Sequence, residues 1–257
     1  MAEKMPGRAY RQAGKRTRNI FDPNSSQPFS LSRSKLELFT ECPRCFYLDR
    51  RLGVGRPDMP AFSLNNAVDS LLKAEFEVYR VKAETHPLMK AYGIDAVPYD
   101  HAQIKTWQEN FQGVQYLHAA TNLIIFGAVD DVWVRKDGTL HVVDFKSTST
   151  TKEISLEDEY KQAYKRQMEI YQWLLRRNQF KVSDVGYFVF ANAQAGLKSF
   201  DGRLEFKVEI ISYEGKDAWV EPTILKAHDC LRGAKVPEAD PDCKYCNYRK
   251  AAESVKA

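Results

Sequence analysis

Gly127-Ala128-Val129-Asp130-Asp131-Val132-Trp133, followed across a Lys136-Asp137-Gly138 turn by Leu140-His141-Val142-Val143-Asp144-Phe145-Lys146, decides how this chain is read. Residues 123–134 are rich in Ile, Val, Phe and Trp, the types that fit a pleated, half-buried surface. The turn predicts an antiparallel hairpin with residues 140–146 as the second strand. Side chains alternate along a strand, so Val142, Asp144 and Lys146 share one face while Val143 and Phe145 share the other. Asp144 and Lys146 then stand about 7 Å apart along the strand. Asp130 and Asp131 point to opposite sides, so only one of them can join Asp144.

An Asp-x-Lys triplet by itself is an ordinary surface ion pair. Here the acids sit inside strongly apolar strands, where an unpaired charge is costly and more often has a task. Carboxylates are hard oxygen ligands for Mg²⁺ or Mn²⁺, and such an ion keeps waters from which a hydroxide nucleophile forms. A neighbouring ammonium orients that water or offsets charge developing on a phosphate. Asp130, Asp144 and Lys146 are therefore the candidate catalytic set for phosphodiester hydrolysis, with Asp130 and Asp144 as metal ligands.

Outward from the hairpin, residues 158–177 read as a helix. Gln167 and Tyr171 are four apart and share a face of it, with Lys161, Lys165 and Arg166 close by. That pair can contact phosphates or hold the lysine. Residues 185–191 and 204–211 read as two more strands joined by a loop over 193–202, and 216–231 as a helix made irregular by Pro222. Upstream, Ser34 and Glu37 form a capping-box pattern ahead of a helix from Lys35 toward Arg51, interrupted by Pro43. Residues 53–60 carry glycine and proline and predict a loop. Val68, Leu72, Phe76 and Tyr79 recur at helical spacing from Asn65 onward. Residues 84–120 predict irregular structure with a helix near 102–111. The order helix, helix, hairpin, helix, strand, strand, helix predicts an α/β fold with a central mixed β-sheet flanked by helices.

The length of 257 residues suits one well-cored domain with decoration. No apolar run of about 18 residues offers a membrane span, and the N-terminal stretch has no apolar core of a secretory signal. A cytoplasmic protein is expected. The net charge of +4 lies wholly within residues 1–28, where Lys4, Arg8, Arg11, Lys15, Arg16 and Arg18 face Glu3 and Asp22. Residues 1–30 are expected to be a flexible basic arm, able to add counterion-release affinity for nucleic acid. The five histidines form no ligand spacing. Neither a phosphate-binding glycine loop nor a serine nucleophile elbow is present, so ATP hydrolysis and serine hydrolysis are not expected.

With reduced cysteines, Cys42-Pro43-Arg44-Cys45 and Cys243-Lys244-Tyr245-Cys246 are two C-x-x-C knuckles that together complete a tetrahedral four-thiolate site. Such a site is structural, because it leaves no open position. Zn²⁺ and a [4Fe–4S] cluster both accept four cysteines. Cys230 is left over, as a buried thiol or an alternative ligand.

Gly127-Ala128-Val129-Asp130, then Asp144-Phe145-Lys146, then Gln167-x-x-x-Tyr171, in that order, resemble the PD-(D/E)XK nuclease superfamily. The likeness is to its RecB-like branch, which includes the CRISPR spacer-acquisition exonucleases. Leu31-Ser32-Arg33-Ser34-Lys35-Leu36 and Cys42-Pro43-Arg44-Cys45-Phe46-Tyr47 also resemble that branch's N-terminal helix. The resemblance implies a restriction-endonuclease-like core over residues 31–257, with 31–60 and 232–250 as a metal-stapled accessory subdomain. It implies that Asp130 and Asp144 ligate the metal, that Lys146 is catalytic, and that the Gln167 and Tyr171 helix lies near DNA. It further implies exonuclease action on single-stranded or end-bearing DNA in repair, recombination or defence, with a helicase or other nucleic-acid-processing partner. Relatives with an iron–sulfur cluster use one N-terminal and three C-terminal cysteines. The two-and-two arrangement here suits zinc at least as well. Members usually carry a histidine ligand on the helix before the hairpin, and that position holds Asp69, with Glu75 a weaker candidate. The substitution leaves a catalytically inactive nucleic-acid-binding or scaffold domain as the alternative. A nicking endonuclease and a zinc-stapled interaction module are further ones.

Overall fold

Apolar residues at helical spacing along two long segments, and near-continuous apolar runs along the strands between them, place one helix on each face of a sheet. The computed structural model describes residues 15–57 and 62–255. In chain order the elements are β1 (Phe29–Ser32), α1 (Arg33–Glu41), α2 (Pro43–Arg50), α3 (Ser63–Lys82), α4 (Pro87–Ala91), β2 (Val97–Pro98), α5 (Ile104–Trp107), β3 (Val114–His118), β4 (Leu123–Gly127), β5 (Asp131–Val134), β6 (Leu140–Thr148), α6 (Gln162–Arg177), β7 (Val185–Ala193), β8 (Phe206–Glu214), α7 (Val220–Arg232) and α8 (Lys244–Ser254).

Five strands form a mixed sheet in the order β2-β5-β6-β7-β8, and three more form a small sheet in the order β1-β4-β3. β6 pairs antiparallel with β5 and parallel with β7, and α6 makes the crossover between the parallel pair. The alternation predicted for β6 decides the layers. Val143 and Phe145 pack with Leu72 and Phe76 of α3, whereas Val142 packs with Met168, Leu174 and the α7 residues Ile224 and Leu231. The large sheet is thus covered by α3 on one face and by α6 and α7 on the other, so Asp144 and Lys146 face α6. This is the mixed sheet flanked by helices that the element order predicts.

Four local expectations are corrected. The apolar run 123–134 is two strands in two sheets, not one arm of a hairpin. The chain leaves the ladder at 128–130, where the Val129 amide donates to the Trp107 carbonyl at 3.0 Å and the Gln108 side chain donates to the Asp130 carbonyl at 2.8 Å. No capping box forms at Ser34. The helix begins one residue after Ser32 without a side-chain cap, and Glu37 is taken by Arg166 instead. Of the basic arm, residues 1–14 lie outside the described residues, but from Lys15 on the chain is docked. Phe21 enters the core, Arg16 pairs with Asp49 at 2.5 Å, and β1 starts at Phe29. Finally, the segment 84–120, expected to be irregular with one helix near 102–111, holds two short helices, α4 and α5, and the strands β2 and β3.

Candidate active site

β6 delivers Asp144 to the α6 face with no solvent exposure at all. Its Oδ1 accepts a hydrogen bond from the Gln167 amide at 2.6 Å, and its Oδ2 meets the Lys146 ammonium in an ion pair. The Asp130 carboxylate, one-fifth exposed, reaches back from the bend before β5. Its Oδ2 accepts the backbone amide of Phe145 at 2.8 Å, which places it beside Asp144. The neighbouring Asp131 points the other way and is buried against Arg80 at 2.5 Å. The two adjacent aspartates thus lie on opposite sides, Asp130 from the bend toward Asp144 and Asp131 from β5 into the opposite core.

Burial pushes the Asp144 carboxyl up to about 6, with the Lys146 charge opposing and the Asp130 charge adding to the rise. Burial works against the Lys146 ammonium, but Asp144 and Asp130 outweigh it and its pKa rises. The pair is thus a protonated amine against a carboxylate that titrates within reach of neutral pH.

Gln167 also donates to the Tyr171 hydroxyl at 3.1 Å, so the two α6 residues act as one hydrogen-bonded unit beside Asp144. Tyr171 is buried, which pushes its phenol up. Its ring lies on Gly127, where an added Cβ would stand 2.6 Å from Tyr171 Cε1 and 3.2 Å from Arg33 Cβ. Arg33, the first residue of α1, adds its charge to this side of the site. Burial lowers its pKa, but Tyr171 and Asp144 outweigh that and raise it.

Asp69 stands at the far side, on α3. Its carboxylate pairs with Lys73 at 2.9 Å, and the same ammonium lies 3.3 Å from Asp130. Burial and the Asp130 charge both push the Asp69 carboxyl up. Asp69 and Asp130 are therefore close enough to repel each other, with Lys73 between them. Glu75 turns away and pairs with His86 at 2.9 Å.

Residues 64–251 match the family model of the PD-(D/E)XK nuclease superfamily. The chain belongs to that superfamily. No curated protein matches it significantly. PD-(D/E)XK nucleases generally use divalent metals, and the donor set here fits one in its chemistry. Two carboxylates hang on consecutive residues of one strand, and the buried Asp144 Oδ2 has the Lys146 ammonium as its partner, a cation where a metal ion would sit. The carboxylates do not converge as tightly as the thiols. Among the described residues, only Cys42, Cys45, Cys243 and Cys246 bring three or more ligand atoms within 4.8 Å of one another.

In this PD-(D/E)XK chain the four thiols join the start of α2 to the start of α8. The sulfurs of Cys45 lie 3.6 Å from Cys243 and 3.7 Å from Cys246, and those of Cys42 and Cys246 are 3.9 Å apart. The group can hold a metal. Cys230 is not in it. Its thiol faces the Pro43 carbonyl at 3.9 Å and burial pushes it up to about 11.

Three residues of the site were not singled out in the sequence. Lys73 reads as an ordinary i,i+4 partner of Asp69. Arg33 lies 94 positions before Gly127, and Gln108 sits in a segment with no clear pattern. Only the fold brings them in.

Proposed function

We propose that this chain is a metal-dependent deoxyribonuclease, an exonuclease acting on single-stranded or end-bearing DNA in repair, recombination or defence. One arrangement carries this reading: a carboxylate without solvent exposure, Asp144, held between the Lys146 ammonium and the Gln167 amide, with Asp130 hung on the amide of the next residue. Asp130 and Asp144 would hold Mg²⁺ or Mn²⁺, with Asp69 as a further ligand once Lys73 swings aside. The ion, when bound, supplies Lewis acidity toward a phosphate oxygen and a water of lowered pKa. Lys146 would hold the attacking water and offset charge growing on the phosphate. Gln167 fixes the orientation of Asp144 through Oδ1, and Oδ2 would reach the cation once the Lys146 ammonium gives way. Tyr171 and Arg33 hold Gln167 and the adjoining backbone, so that the strand of DNA meets a preformed surface.

The four cysteines would carry Zn²⁺ or a [4Fe–4S] cluster in a structural role, clasping residues 31–60 to residues 232–250. A helicase or another nucleic-acid-processing protein would present the substrate, in the cytoplasm. A catalytically inactive nucleic-acid-binding domain of the same fold is the competing reading. The Lys73 ammonium against Asp69 and Asp130 is the feature that favours it, since an ammonium there neutralises the carboxylates a cation needs.

Labelled linear and circular DNA, incubated with the protein and Mg²⁺ or Mn²⁺, separates the readings. Shortening of linear DNA from its ends, intact circles, and loss of cleavage in Lys146→Ala and Asp144→Ala are expected. Binding without cutting would favour the inactive domain, and loss of circles would mean an endonuclease.

A further inference from the structure

Beyond Lys146 the chain runs through five consecutive hydroxyl residues, Ser147-Thr148-Ser149-Thr150-Thr151, which the hydrolytic centre does not use. Ser147, Thr148 and Thr150 form one wall of a cleft of about 350 Å³ that opens directly from Lys146. Tyr160, Tyr164 and Phe190 provide the aromatic side, and Lys152 stands at the rim. The Lys146 ammonium lies 4.8 Å from the centre of the Tyr164 ring, so that ring is the boundary between the carboxylates and the cleft. Tyr160 meets Tyr164 edge-on at 6.4 Å and has the Lys161 ammonium 5.3 Å from its ring centre, yet leaves 65% of its own surface exposed, so ring surface remains open to a base.

The cleft is built, not a gap between loose loops. Asn192 of β7 clamps Thr150 in both directions, accepting its amide at 2.9 Å and donating to its carbonyl at 3.0 Å. On the opposite rim the Lys161 ammonium donates to the Ser155 carbonyl at 2.5 Å and pairs with Asp158 at 2.7 Å. Lys161 is thereby spent on holding the rim, and Glu153 and Asp158 also line the cleft. Its charge is close to balanced. A polyanion held by charge alone is not what this surface fits. Hydroxyls facing aromatic rings fit a nucleotide, whose phosphate and sugar take the hydroxyls and whose base takes a ring face. A ring face meets a base only when that base has left its stack.

We infer that this cleft binds one unpaired nucleotide next to the scissile phosphate, its base stacked on Tyr160 and its backbone on the Thr148 and Thr150 hydroxyls. The site thus selects a splayed single strand over a paired one. The inference rests on the nuclease reading for the word scissile, but the binding it describes does not require cleavage.

The test uses the full chain with no Mg²⁺ or Mn²⁺ added, where hydrolysis is off, and a short labelled oligothymidylate carrying one 2-aminopurine. Anisotropy gives affinity, and 2-aminopurine quenching reports stacking at the substituted position. Tyr160→Ala should weaken binding about tenfold and abolish the quench, while Tyr160→Trp retains both. The salt slope should be unchanged in Tyr160→Ala and should fall by about 0.7 in Lys152→Ala. The same strand fully paired with its oligodeoxyadenylate complement should bind no better to wild type than to Tyr160→Ala. Wild-type affinity and quench preserved in Tyr160→Ala would overturn the cleft while leaving the hydrolytic centre intact. Loss of both in Tyr160→Ala, from a protein that cleaves nothing with Mg²⁺ or Mn²⁺, would uphold the cleft and remove the nuclease reading. A wild-type protein that binds neither strand form would overturn both.

Discussion

The Asp130 carboxylate accepts the backbone amide of Phe145 at 2.8 Å, and so a residue at the end of a bend is registered against the strand that carries Asp144. That single bond substitutes for ladder pairing, because the chain at 128–130 has left both sheets. It also separates Asp130 from its neighbour Asp131, which is 1% exposed and committed to Arg80.

The two adjacent aspartates should therefore fail in opposite ways. Asp130→Asn, which keeps an acceptor for the Phe145 amide but loses the charge, should lower DNA cleavage at least about 100-fold with little change in stability. Asp131→Ala removes the buried partner of Arg80, which keeps Glu77 and the Tyr99 carbonyl, and should cost about 1–3 kcal/mol in urea unfolding. Equal stability losses in the two variants would mean that Asp130 is as structural as Asp131.

Gly127→Ala should destabilise the protein by about 1–3 kcal/mol, since the new Cβ has to displace the Tyr171 ring. The added carbon would stand 2.6 Å from Tyr171 Cε1. Because Tyr171 holds Gln167, the variant should also lose activity at temperatures where it remains folded. A crystal structure of the variant with Tyr171 unmoved and activity unchanged would refute the link.

Asp144 titrates at about 6, above its ordinary value of 3.8, because it is buried, with Lys146 opposing. The folded state takes up a proton there between about pH 6 and 4, while the unfolded chain does not. Stability at this position is thus gained as the pH falls through 6 and absent above it. Without added divalent ion, wild type should gain about 1 kcal/mol relative to Asp144→Asn between pH 7 and pH 5. Parallel pH profiles of the two proteins in urea unfolding would show that Asp144 is not raised. With a divalent ion present, the same protonation predicts an acid limb in the cleavage rate as the carboxylate is lost.

The four-thiol group predicts about one Zn²⁺ ion or one cluster per chain, read by metal analysis. Absorbance near roughly 400 nm in anaerobically purified protein marks the cluster, and its absence with bound zinc marks the ion. Burial pushes the Cys243 thiol up, but hydrogen bonds from the Cys246 amide and neighbouring thiols outweigh it and bring it to about 7. A strong chelator should lower the melting temperature by an amount reflecting several kcal/mol, because the link closes a loop of about two hundred residues. Cys45→Ser with an unchanged melting temperature and full metal content would exclude the site.

The α6-facing side of β6 was legible because alternation is strictly local: two residues apart means the same side, and Val143 and Phe145 fixed which side packs on α3. Gln167 and Tyr171 were legible for the same reason at helical spacing. The split of 123–134 was not, since Ile, Val, Phe and Trp favour a strand equally in either sheet. The bend depends on Trp107 and Gln108, more than 20 residues upstream. Glu37 was misread because its local pattern matched a cap, whereas its partner Arg166 lies 129 positions away. Lys73 escaped because an i,i+4 pair on a helix looks complete without Asp130. In each miss a long-range contact overrode a reasonable local preference.

Asp69, Asp130, Asp144, Lys146, Gln167 and Tyr171 all fall between Cys45 and Cys243 in the chain, and Arg33 and Glu37 fall outside that interval. Those two sit on α1, which runs straight into the first knuckle, and they grip α6 through Tyr171 and Arg166. Sulfur chemistry at the clasp and phosphate chemistry at the strand are consequently in mechanical series. An oxidant or chelator that opens the clasp would slacken the grip on α6 without touching a carboxylate, so the hydrolytic output of such a molecule would track the redox history of its cysteines.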